Sequence, residues 1–130
     1  MKRVLFICSE NCCRSPMAEG FARHYGPGVV EAHSAGVHPA PRVDPDAVAA
    51  MAEVGIDISR HIPKTLEDLD VQDYHVVVTV CTLEEGCPVV FAPEKQEWEL
   101  PDPRGKSLEF FRAVRDDISE RVRQLVDELR

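Results

Sequence analysis

The sequence lacks a long hydrophobic run. No stretch approaches the roughly 18 consecutive apolar residues of a membrane-spanning helix, and the apolar run at residues 4–7 is soon followed by Ser9, Glu10 and Asn11. This pattern differs from that of a secretory signal, in which the basic start leads into a longer apolar segment. We therefore expect a buried first strand, no membrane association and a cytoplasmic protein.

An excess of positive charge is also lacking. The chain has 15 lysines and arginines against 23 aspartates and glutamates, for a formal net charge of -8. Nucleic acids and anionic membranes favour a basic face, so we expect neither as a partner. Any anion-binding site in this chain must be built from local groups.

Internal repeats and low-complexity tracts are absent as well. The 130 residues, of which 44% are hydrophobic, suffice for one buried core and leave no room for a second. We therefore expect a single domain over residues 1–130, acting as a monomer.

Five cysteines are an odd number for a secreted fold held together by disulfides. In a reducing cytoplasm, clustered cysteines indicate metal binding or thiol chemistry. The histidines at positions 24, 33, 38, 61 and 75 show no metal-ligand spacing, and we expect neither a metal ion nor a cofactor. The cysteines form two clusters, with Cys8, Cys12 and Cys13 in the first and Cys81 and Cys87 in the second.

Hydrophobic patterning predicts alternating strands and helices. Residues 2–8, 29–35 and 75–80 are predicted strands, and the last is nearly apolar throughout, as expected of a strand buried in a parallel sheet. Residues 88–91 are a candidate fourth strand, and residues 38–45 and 93–106 are predicted loops. Helices are predicted from Pro16 to Tyr25 with Ser15 as the cap, from Asp44 to a stop at Gly55, and from Ser107 onwards.

This alternation predicts an α/β fold with an open sheet. In such folds, ligands bind beyond the carboxyl ends of the strands. Cys8 and Cys81 both lie at predicted strand ends, so both cysteine clusters are candidates for the functional site.

The segment between the first strand and the first helix has the features of an anion-binding loop. Backbone N–H groups at a helix start lack intrahelical partners, and together with the helix dipole they favour an anion. Asn11 belongs to the few residue types besides glycine that readily adopt a left-handed conformation. Arg14 adds a planar guanidinium that pairs with two oxygens of a tetrahedral oxyanion. The candidate oxyanion-binding residues are Ser9, Glu10, Asn11, Cys12, Cys13, Arg14 and Ser15.

Cys8, at the first position of this loop, is the candidate nucleophile. The donors that attract an anion should also stabilise a thiolate, which would lower the Cys8 pKa from about 8.5 towards roughly 3.5–7.5. The Ser15 hydroxyl can add a hydrogen bond. Taken singly, such a cysteine is more often a small core residue and such an arginine a solvated charge. The joint pattern of strand, Cys8, five residues, Arg14 and helix start favours a site.

Cys81 and Cys87 are separated by five mostly polar residues that directly follow the third predicted strand. A disulfide between them requires their Cα atoms to come within about 7 Å, so its formation would remodel this segment. The alternative interpretation is that Cys81 is a core residue and Cys87 an incidental thiol.

The loop resembles the active-site loop shared by low-molecular-weight protein tyrosine phosphatases and thioredoxin-coupled arsenate reductases. The resemblance implies an open three-layer sandwich with a mainly parallel four-stranded sheet flanked by helices. Similarity to the reductases extends over nearly the whole chain and includes Met17-Ala18-Glu19-Gly20, Ser34-Ala35-Gly36, Asp57-Ile58-Ser59, residues 77–81 and Asp102-Pro103.

The resemblance to the reductases implies a relay of three thiols. Cys8 would attack arsenate held by the loop and Arg14, and Cys81 would then attack the Cys8 sulfur and release arsenite. Cys87 would next attack Cys81, and thioredoxin would reduce the resulting disulfide by thiol–disulfide exchange. Asp102 matches the acid that protonates a leaving oxygen in both groups. Phosphate and sulfate would compete with arsenate as related oxyanions.

Two alternatives remain open. A phosphatase would need only Cys8, Arg14 and Asp102, and a weak phosphatase side activity is also expected of a reductase. The second alternative is a non-catalytic site whose thiolates bind a metal or arsenite. Cys81 and Cys87 have no role in phosphatase chemistry, and residues 104–106 lack the aromatic side chains that commonly line a phosphotyrosine cleft. Both features favour the reductase.

Two departures from the related sequences stand out. Cys12 occupies a position that usually carries a small hydroxyl residue, and the relay requires neither Cys12 nor Cys13, so we expect both to be packing residues. Some relatives bind potassium through residues matching Asn11, Glu19 and Ser34 and two more that align with Ile62 and Lys64. The last two do not match, which suggests that the Lys64 ammonium replaces the ion.

Overall fold

The computed structural model describes residues 1–82 and 92–130. Four parallel strands form one sheet in the order β2-β1-β3-β4. This arrangement confirms the predicted α/β class with its parallel four-stranded sheet. Within the described residues the strands are β1 (Lys2–Cys8), β2 (Val30–Gly36), β3 (Val76–Thr79) and β4 (Lys95–Glu97), and the α-helices are α1 (Arg14–Tyr25), α2 (Pro45–Ala52) and α3 (Leu108–Glu128).

The two central strands, β1 and β3, are apolar because both of their faces are covered. Phe6 points to the face where the helices pack, and it shares a hydrophobic cluster with Met17 of α1 and Phe111 of α3. Leu5 belongs to a smaller cluster on the other face, against which Leu66 packs. That second face is covered by two short 3-10 turns, Leu66–Asp68 and Val71–Asp73. The sheet is therefore the middle of three layers.

Side-chain caps are found at the starts of two of the predicted helices. The Asp44 carboxylate accepts a hydrogen bond from the Asp46 N–H at 2.8 Å at the start of α2. The Ser107 hydroxyl accepts one from the Phe110 N–H at 3.2 Å at the start of α3. Such caps satisfy backbone donors that have no intrahelical partner.

The predicted cap of α1 is wrong. The helix begins at Arg14, its N-cap residue is Cys13, and no side chain caps it. Ser15 lies inside the first turn, where its hydroxyl contacts the Cys8 sulfur and the Asn11 amide instead of a helix N–H.

The prediction of a loop over residues 93–106 is also wrong for residues 95–97. Lys95–Glu97 forms the edge strand β4, which pairs with Val77, Val78 and Thr79 of β3. Its sequence, Lys-Gln-Glu, carries no hydrophobic alternation because an edge strand of a sheet leaves polar side chains in solvent. The pairing to β3 is what makes it a strand. The candidate strand at residues 88–91 lies outside the described residues.

None of the helices in the described part of the chain combines the length and the apolar character that crossing a membrane requires.

Candidate active site

The loop that joins β1 to α1 curls at the carboxyl end of the sheet. Asn11 adopts a φ of 53°, which is the left-handed conformation predicted from its residue type. The loop passes against Gly36 at the end of β2, where a Cβ atom would lie 2.8 Å from the Asn11 backbone nitrogen. Only glycine at position 36 leaves room for this approach, a role that sequence reasoning did not assign to it.

Residues 38–44 fasten the same loop from outside. The N–H of His38 donates to the carbonyl of Ser9 at 2.8 Å, and the N–H of Ala40 donates to the carbonyl of Glu10 at 2.9 Å. In both bonds the loop contributes a carbonyl oxygen as the acceptor and none of its N–H groups. The loop is therefore held by its carbonyls.

The Cys8 sulfur lies at the centre of the loop, and the residue is 3% exposed. The sulfur lies 2.8 Å from the Ser15 hydroxyl and accepts a hydrogen bond from the Asn11 backbone N–H at 3.2 Å. The Asn11 side-chain amide donates to the Ser15 oxygen at 2.8 Å. Since that oxygen already accepts a hydrogen bond, the Ser15 hydroxyl hydrogen is available to the sulfur.

Burial raises the pKa of Cys8 above its ordinary value, because the charged thiolate is removed from water. Hydrogen bonds from Ser15 act in the opposite direction, as do the charge of Arg14 and the hydrogen bond from Asn11. The sequence-based expectation of a lowered pKa is therefore wrong, because the effect of burial exceeds that of the donors around the sulfur. Sequence reasoning counted the donors around the sulfur and omitted the cost of burying it.

A buried polar network supports Asn11 in its left-handed conformation. The Asn11 amide also donates to the Ser34 hydroxyl at 2.9 Å, and that hydroxyl donates to the Glu19 carboxylate at 2.7 Å. Asn11 and Ser34 are fully buried, and Glu19 is 6% exposed. A satisfied network of this kind fixes a local conformation, because leaving any member unpaired is costly.

His61 and Lys64 complete this network from the segment after α2. The His61 Nε2–H donates to the backbone carbonyl of Asn11 at 3.2 Å and to its side-chain oxygen at 3.1 Å. Because both partners are acceptors, this nitrogen carries the hydrogen. Burial lowers the pKa of His61. Sequence reasoning missed this residue, since a histidine without metal-ligand spacing gives no signal of a loop contact.

Lys64 contacts the loop network twice. Its backbone N–H donates to the Asn11 side-chain oxygen at 3.0 Å, and its ammonium group donates to the carbonyl of Ser34 at 3.2 Å. Lys64 thus contacts Asn11 through its backbone and Ser34 through its ammonium group, and both partners match potassium ligands of some relatives.

Arg14 and Asp102 converge on the same pocket as Cys8. Arg14 is 2% exposed, and its guanidinium donates to the carbonyl of Leu100 at 2.8 Å. Its other terminal nitrogen lies 3.9 Å from an Asp102 carboxylate oxygen. The pocket is lined by Cys8, Ser9, Glu10, Cys12, Cys13, Arg14, Asp102 and Arg104. The structure therefore brings together most of the residues predicted from the loop and from the Asp-Pro pair.

Arg104 is a pocket residue that sequence reasoning missed. Its guanidinium donates to one Asp102 carboxylate oxygen at 3.0 and 3.2 Å and forms an ion pair with Glu10. A carboxylate at the mouth of an anion pocket would repel the anion, and this pair offsets the Glu10 charge. The only signal in the sequence was a basic residue shortly after Asp102.

Cys12 and Cys13 are buried, as expected of packing residues, but they also contact each other. Their sulfurs lie 3.7 Å apart. Cys13 donates a hydrogen bond to Cys12, which lowers the pKa of Cys12. The same hydrogen bond raises the pKa of Cys13, the donor.

Cys81 lies at the same edge of the sheet as Cys8. The N–H of Val80 donates to the carbonyl of Ile7 at 2.8 Å, and the Cys81 sulfur lies 4.0 Å from that carbonyl oxygen. Cys81 takes part in a disulfide, whereas Cys8, Cys12 and Cys13 are free thiols. Cys87, the other predicted relay cysteine, lies outside the described residues.

The described residues contain no group of three or more histidine, cysteine, aspartate or glutamate side chains arranged to hold a metal ion.

Comparison with known proteins places this geometry in a family. The family model of the low molecular weight phosphotyrosine protein phosphatases matches residues 3–130. A curated relative, the glutaredoxin arsenate reductase of Synechocystis sp., is 45% identical over an alignment of 132 positions that covers 97% of each chain. Arsenate reductase 2 of Staphylococcus saprophyticus is 40% identical, with 97% of each chain covered.

Solved structures agree with the sequence comparison. An arsenate reductase in the phosphate binding state is 42% identical, covers 100% of both chains and has a TM-score of 0.90. The low molecular weight protein tyrosine phosphatase from T. tengcongensis is 30% identical, with 99% of this chain covered, 100% of that chain covered and a TM-score of 0.83. The chain belongs to the low molecular weight phosphotyrosine protein phosphatase family, and it has named arsenate reductases among its relatives.

Proposed function

We propose that this chain reduces arsenate to arsenite by a thiol–disulfide relay. One observation carries the proposal: the thiol of Cys8, the guanidinium of Arg14 and the carboxylate of Asp102 line one pocket, and Cys81 lies at the same sheet edge. The relatives named as arsenate reductases support the choice of arsenate. Phosphate and sulfate are expected to compete for the pocket.

In the first step, the Cys8 sulfur attacks the arsenic of a bound arsenate. Arg14 and the N–H groups of residues 9–15 hold the arsenate oxygens. An As–O bond breaks as the S–As bond forms, and the oxygen leaves as water. The leaving oxygen is a hydroxyl of the arsenate monoanion, and it takes up the proton that Cys8 loses, relayed through Asp102, so that one water forms and no net proton is gained or lost. The Ser15 hydroxyl stabilises the attacking sulfur.

For Asp102 to deliver a proton, at least one of the hydrogen bonds that Arg104 donates to its carboxylate must break. Arg104 now donates to Asp102 and pairs with Glu10. A bound oxyanion competes for the same guanidinium, so substrate binding itself releases the carboxylate.

In the second step, Cys81 as a thiolate attacks the Cys8 sulfur. The S–As bond breaks, its electron pair stays on arsenic, and arsenite leaves with arsenic reduced from the pentavalent to the trivalent state. The two sulfurs are oxidised to a Cys8–Cys81 disulfide. Burial of both sulfurs near the end of β1 favours this step, since the attacking and attacked atoms are confined to one edge of the sheet.

In the third step, Cys87 attacks Cys81 and frees Cys8. A disulfide at Cys81 together with a free Cys8 thiol is the pattern expected at this stage. We propose thioredoxin as the reductant that closes the cycle by thiol–disulfide exchange. The name of the Synechocystis relative makes glutaredoxin the alternative. The reaction belongs in the cytoplasm, where such reductants keep thiols reduced.

The test is steady-state turnover of arsenate with NADPH as the final electron donor. One assay contains thioredoxin and thioredoxin reductase, and a parallel assay contains glutaredoxin, glutathione and glutathione reductase. We expect turnover with thioredoxin, and its loss in Cys8→Ser, Cys81→Ser and Cys87→Ser. Normal turnover in both Cys81→Ser and Cys87→Ser would show that the relay is wrong.

A phosphatase is the second candidate function, because Cys8, Arg14 and Asp102 suffice for phosphate ester hydrolysis and the matching family is one of phosphatases. A phosphatase would hydrolyse aryl phosphates at the same rate in the wild type and in Cys81→Ser. It would turn over no arsenate with either reductant. A weak aryl phosphatase activity alongside arsenate turnover is what the reductase proposal expects.

A further inference from the structure

Cys12 and Cys13 form a pair of thiols that the proposed relay does not use. Their sulfurs lie 3.7 Å apart, both are free thiols, and the two residues are 5% and 3% exposed. Within the described ranges, each sulfur has the other as its hydrogen-bond partner and no further one. Neither thiol is therefore engaged in another hydrogen bond in that part of the chain.

Backbone hydrogen bonds hold both residues in place, and both residues line the pocket. The carbonyl of Cys12 accepts a hydrogen bond from the Asp44 N–H at 2.9 Å, and the carbonyl of Cys13 accepts one from the Met17 N–H at 3.0 Å. Both cysteines line the anion pocket, whose lining also includes Cys8, Arg14 and Asp102. A small molecule held in the pocket therefore lies next to both residues.

We propose that Cys12 and Cys13 together bind one atom of trivalent arsenic as a dithiolate. Thiolates select soft ions, and a second thiol on the adjacent residue acts at a high effective concentration once the first is bound. The choice of arsenite as the physiological ligand rests on the proposed function, because arsenite is the product of that reaction.

The binding step is a condensation without electron transfer. Two S–H bonds and two As–OH bonds of arsenous acid break, two As–S bonds form, and two waters leave. The third hydroxyl stays on arsenic, which remains trivalent, and both sulfurs keep their oxidation state. No oxidant or reductant is needed.

The position of this thiol pair at the pocket predicts an effect of arsenite on the turnover rate. Arsenite released from Cys8 emerges into the pocket that the thiol pair lines, so the pair captures product before it leaves. The enzyme is then expected to show strong product inhibition by arsenite. An inhibition constant for arsenite that rises in Cys12→Ser and Cys13→Ser is the kinetic sign of this capture.

The direct test uses phenylarsine oxide, a trivalent arsenical that bridges two thiols. It is titrated into a reduced chain carrying Cys8→Ser, Cys81→Ser and Cys87→Ser, in which Cys12 and Cys13 are the remaining thiols. We expect one equivalent to bind, detected by intact mass and by loss of both titratable thiols. Adding Cys12→Ser or Cys13→Ser should weaken binding by at least about 100-fold, since the chelate is lost.

A second measurement on the wild-type chain covers the case in which the triple variant does not fold. Reduced protein is treated with one equivalent of phenylarsine oxide and then with an alkylating agent, and the labelled cysteines are mapped by mass spectrometry. Protection of Cys12 and Cys13 with alkylation of Cys8 supports the proposal. Protection of Cys8 with Cys81, or no binding by a folded triple variant, would overturn it.

The outcome separates the two proposals. Binding of phenylarsine oxide at Cys12 and Cys13 in a chain without arsenate turnover overturns the proposed function alone. Arsenate turnover in a chain whose Cys12 and Cys13 bind no trivalent arsenic overturns this inference alone.

Discussion

The Ser15 hydroxyl lies 2.8 Å from the Cys8 sulfur while its oxygen accepts a hydrogen bond from the Asn11 amide. The amide thereby directs the hydroxyl hydrogen towards the sulfur. Ser15 thus stabilises the nucleophile of the proposed reaction from inside the first turn of α1, and it does not cap that helix.

The first prediction concerns the pH dependence of Cys8. Burial raises the pKa of Cys8 above the ordinary value of a cysteine thiol. Its alkylation rate should increase with pH through a midpoint above that value. Removal of the stabilising hydroxyl in Ser15→Ala should move the midpoint further up, because the hydrogen bond from Ser15 lowers the pKa.

The measurement is the rate of iodoacetamide labelling at Cys8 against pH, followed by peptide mapping. Ser119→Ala is the matched control, since Ser119 contacts Tyr25 on the helical side of the molecule and its loss should leave the midpoint unchanged. A midpoint that falls in Ser15→Ala would contradict the assigned hydrogen bond.

The second prediction concerns Gly36. A Cβ atom in Gly36→Ala would lie 2.8 Å from the Asn11 nitrogen and 2.9 Å from the Glu10 carbonyl carbon, so the loop must shift. We expect a destabilisation of about 1–3 kcal/mol and a loss of phosphate binding of about tenfold or more. Isothermal titration with phosphate and thermal unfolding measure the two effects.

Gly28→Ala serves as the control for this substitution. Gly28 has a φ of +77°, and no atom lies within 4 Å of the place that a Cβ would take, so alanine there should cost stability through backbone strain alone. Phosphate should bind this variant as it binds the wild type. Equal phosphate affinity in Gly36→Ala would show that the loop does not depend on the close approach.

The third prediction concerns Lys64. Its ammonium donates to the carbonyl of Ser34, and we propose that it replaces the potassium ion that some relatives bind near this loop. We expect the thermal stability of the wild type to be the same in potassium and in sodium salts. Lys64→Ala should lose about 1–2 kcal/mol by leaving a buried acceptor unpaired and should become more stable in potassium than in sodium.

Thermal unfolding in matched potassium and sodium chloride checks this expectation. Lys106→Ala is the control, because Lys106 lies over the Phe110 ring and away from the loop network. A wild type that is stabilised by potassium and not by sodium would argue against replacement of the ion by Lys64.

The fourth prediction concerns the ion pair between Arg104 and Glu10. Arg104→Gln leaves the Glu10 carboxylate unopposed at the pocket mouth, and phosphate affinity should fall about fivefold. Glu10→Gln in the same chain should restore most of it. A double-mutant cycle on the phosphate dissociation constant measures the coupling, and additive effects of the two substitutions would exclude it.

Sequence alone predicted the parts of the site whose signals are local. The apolar β1, the left-handed Asn11 and the anion loop that ends at Arg14 each follow from residue types at short spacing. The family resemblance added Asp102, which indeed lines the pocket beside Cys8.

The features that sequence reasoning missed depend on contacts between distant segments. His61 and Gly36 act on Asn11 across many residues, and Arg104 reaches Glu10 from the far end of the chain. Strand β4 exists only through its pairing with β3. The raised pKa of Cys8 depends on burial, which a list of nearby donors does not contain.

In the proposed relay, oxidation passes from Cys8 to the distant cysteine pair. The most direct measurement is mass mapping of the disulfide formed when the fully reduced chain reacts with one equivalent of arsenate. We predict a Cys81–Cys87 disulfide with Cys8 again free, and a Cys8–Cys81 disulfide when Cys87→Ser blocks the last step. Reduced thiols throughout, or a disulfide that excludes Cys81, would contradict the relay.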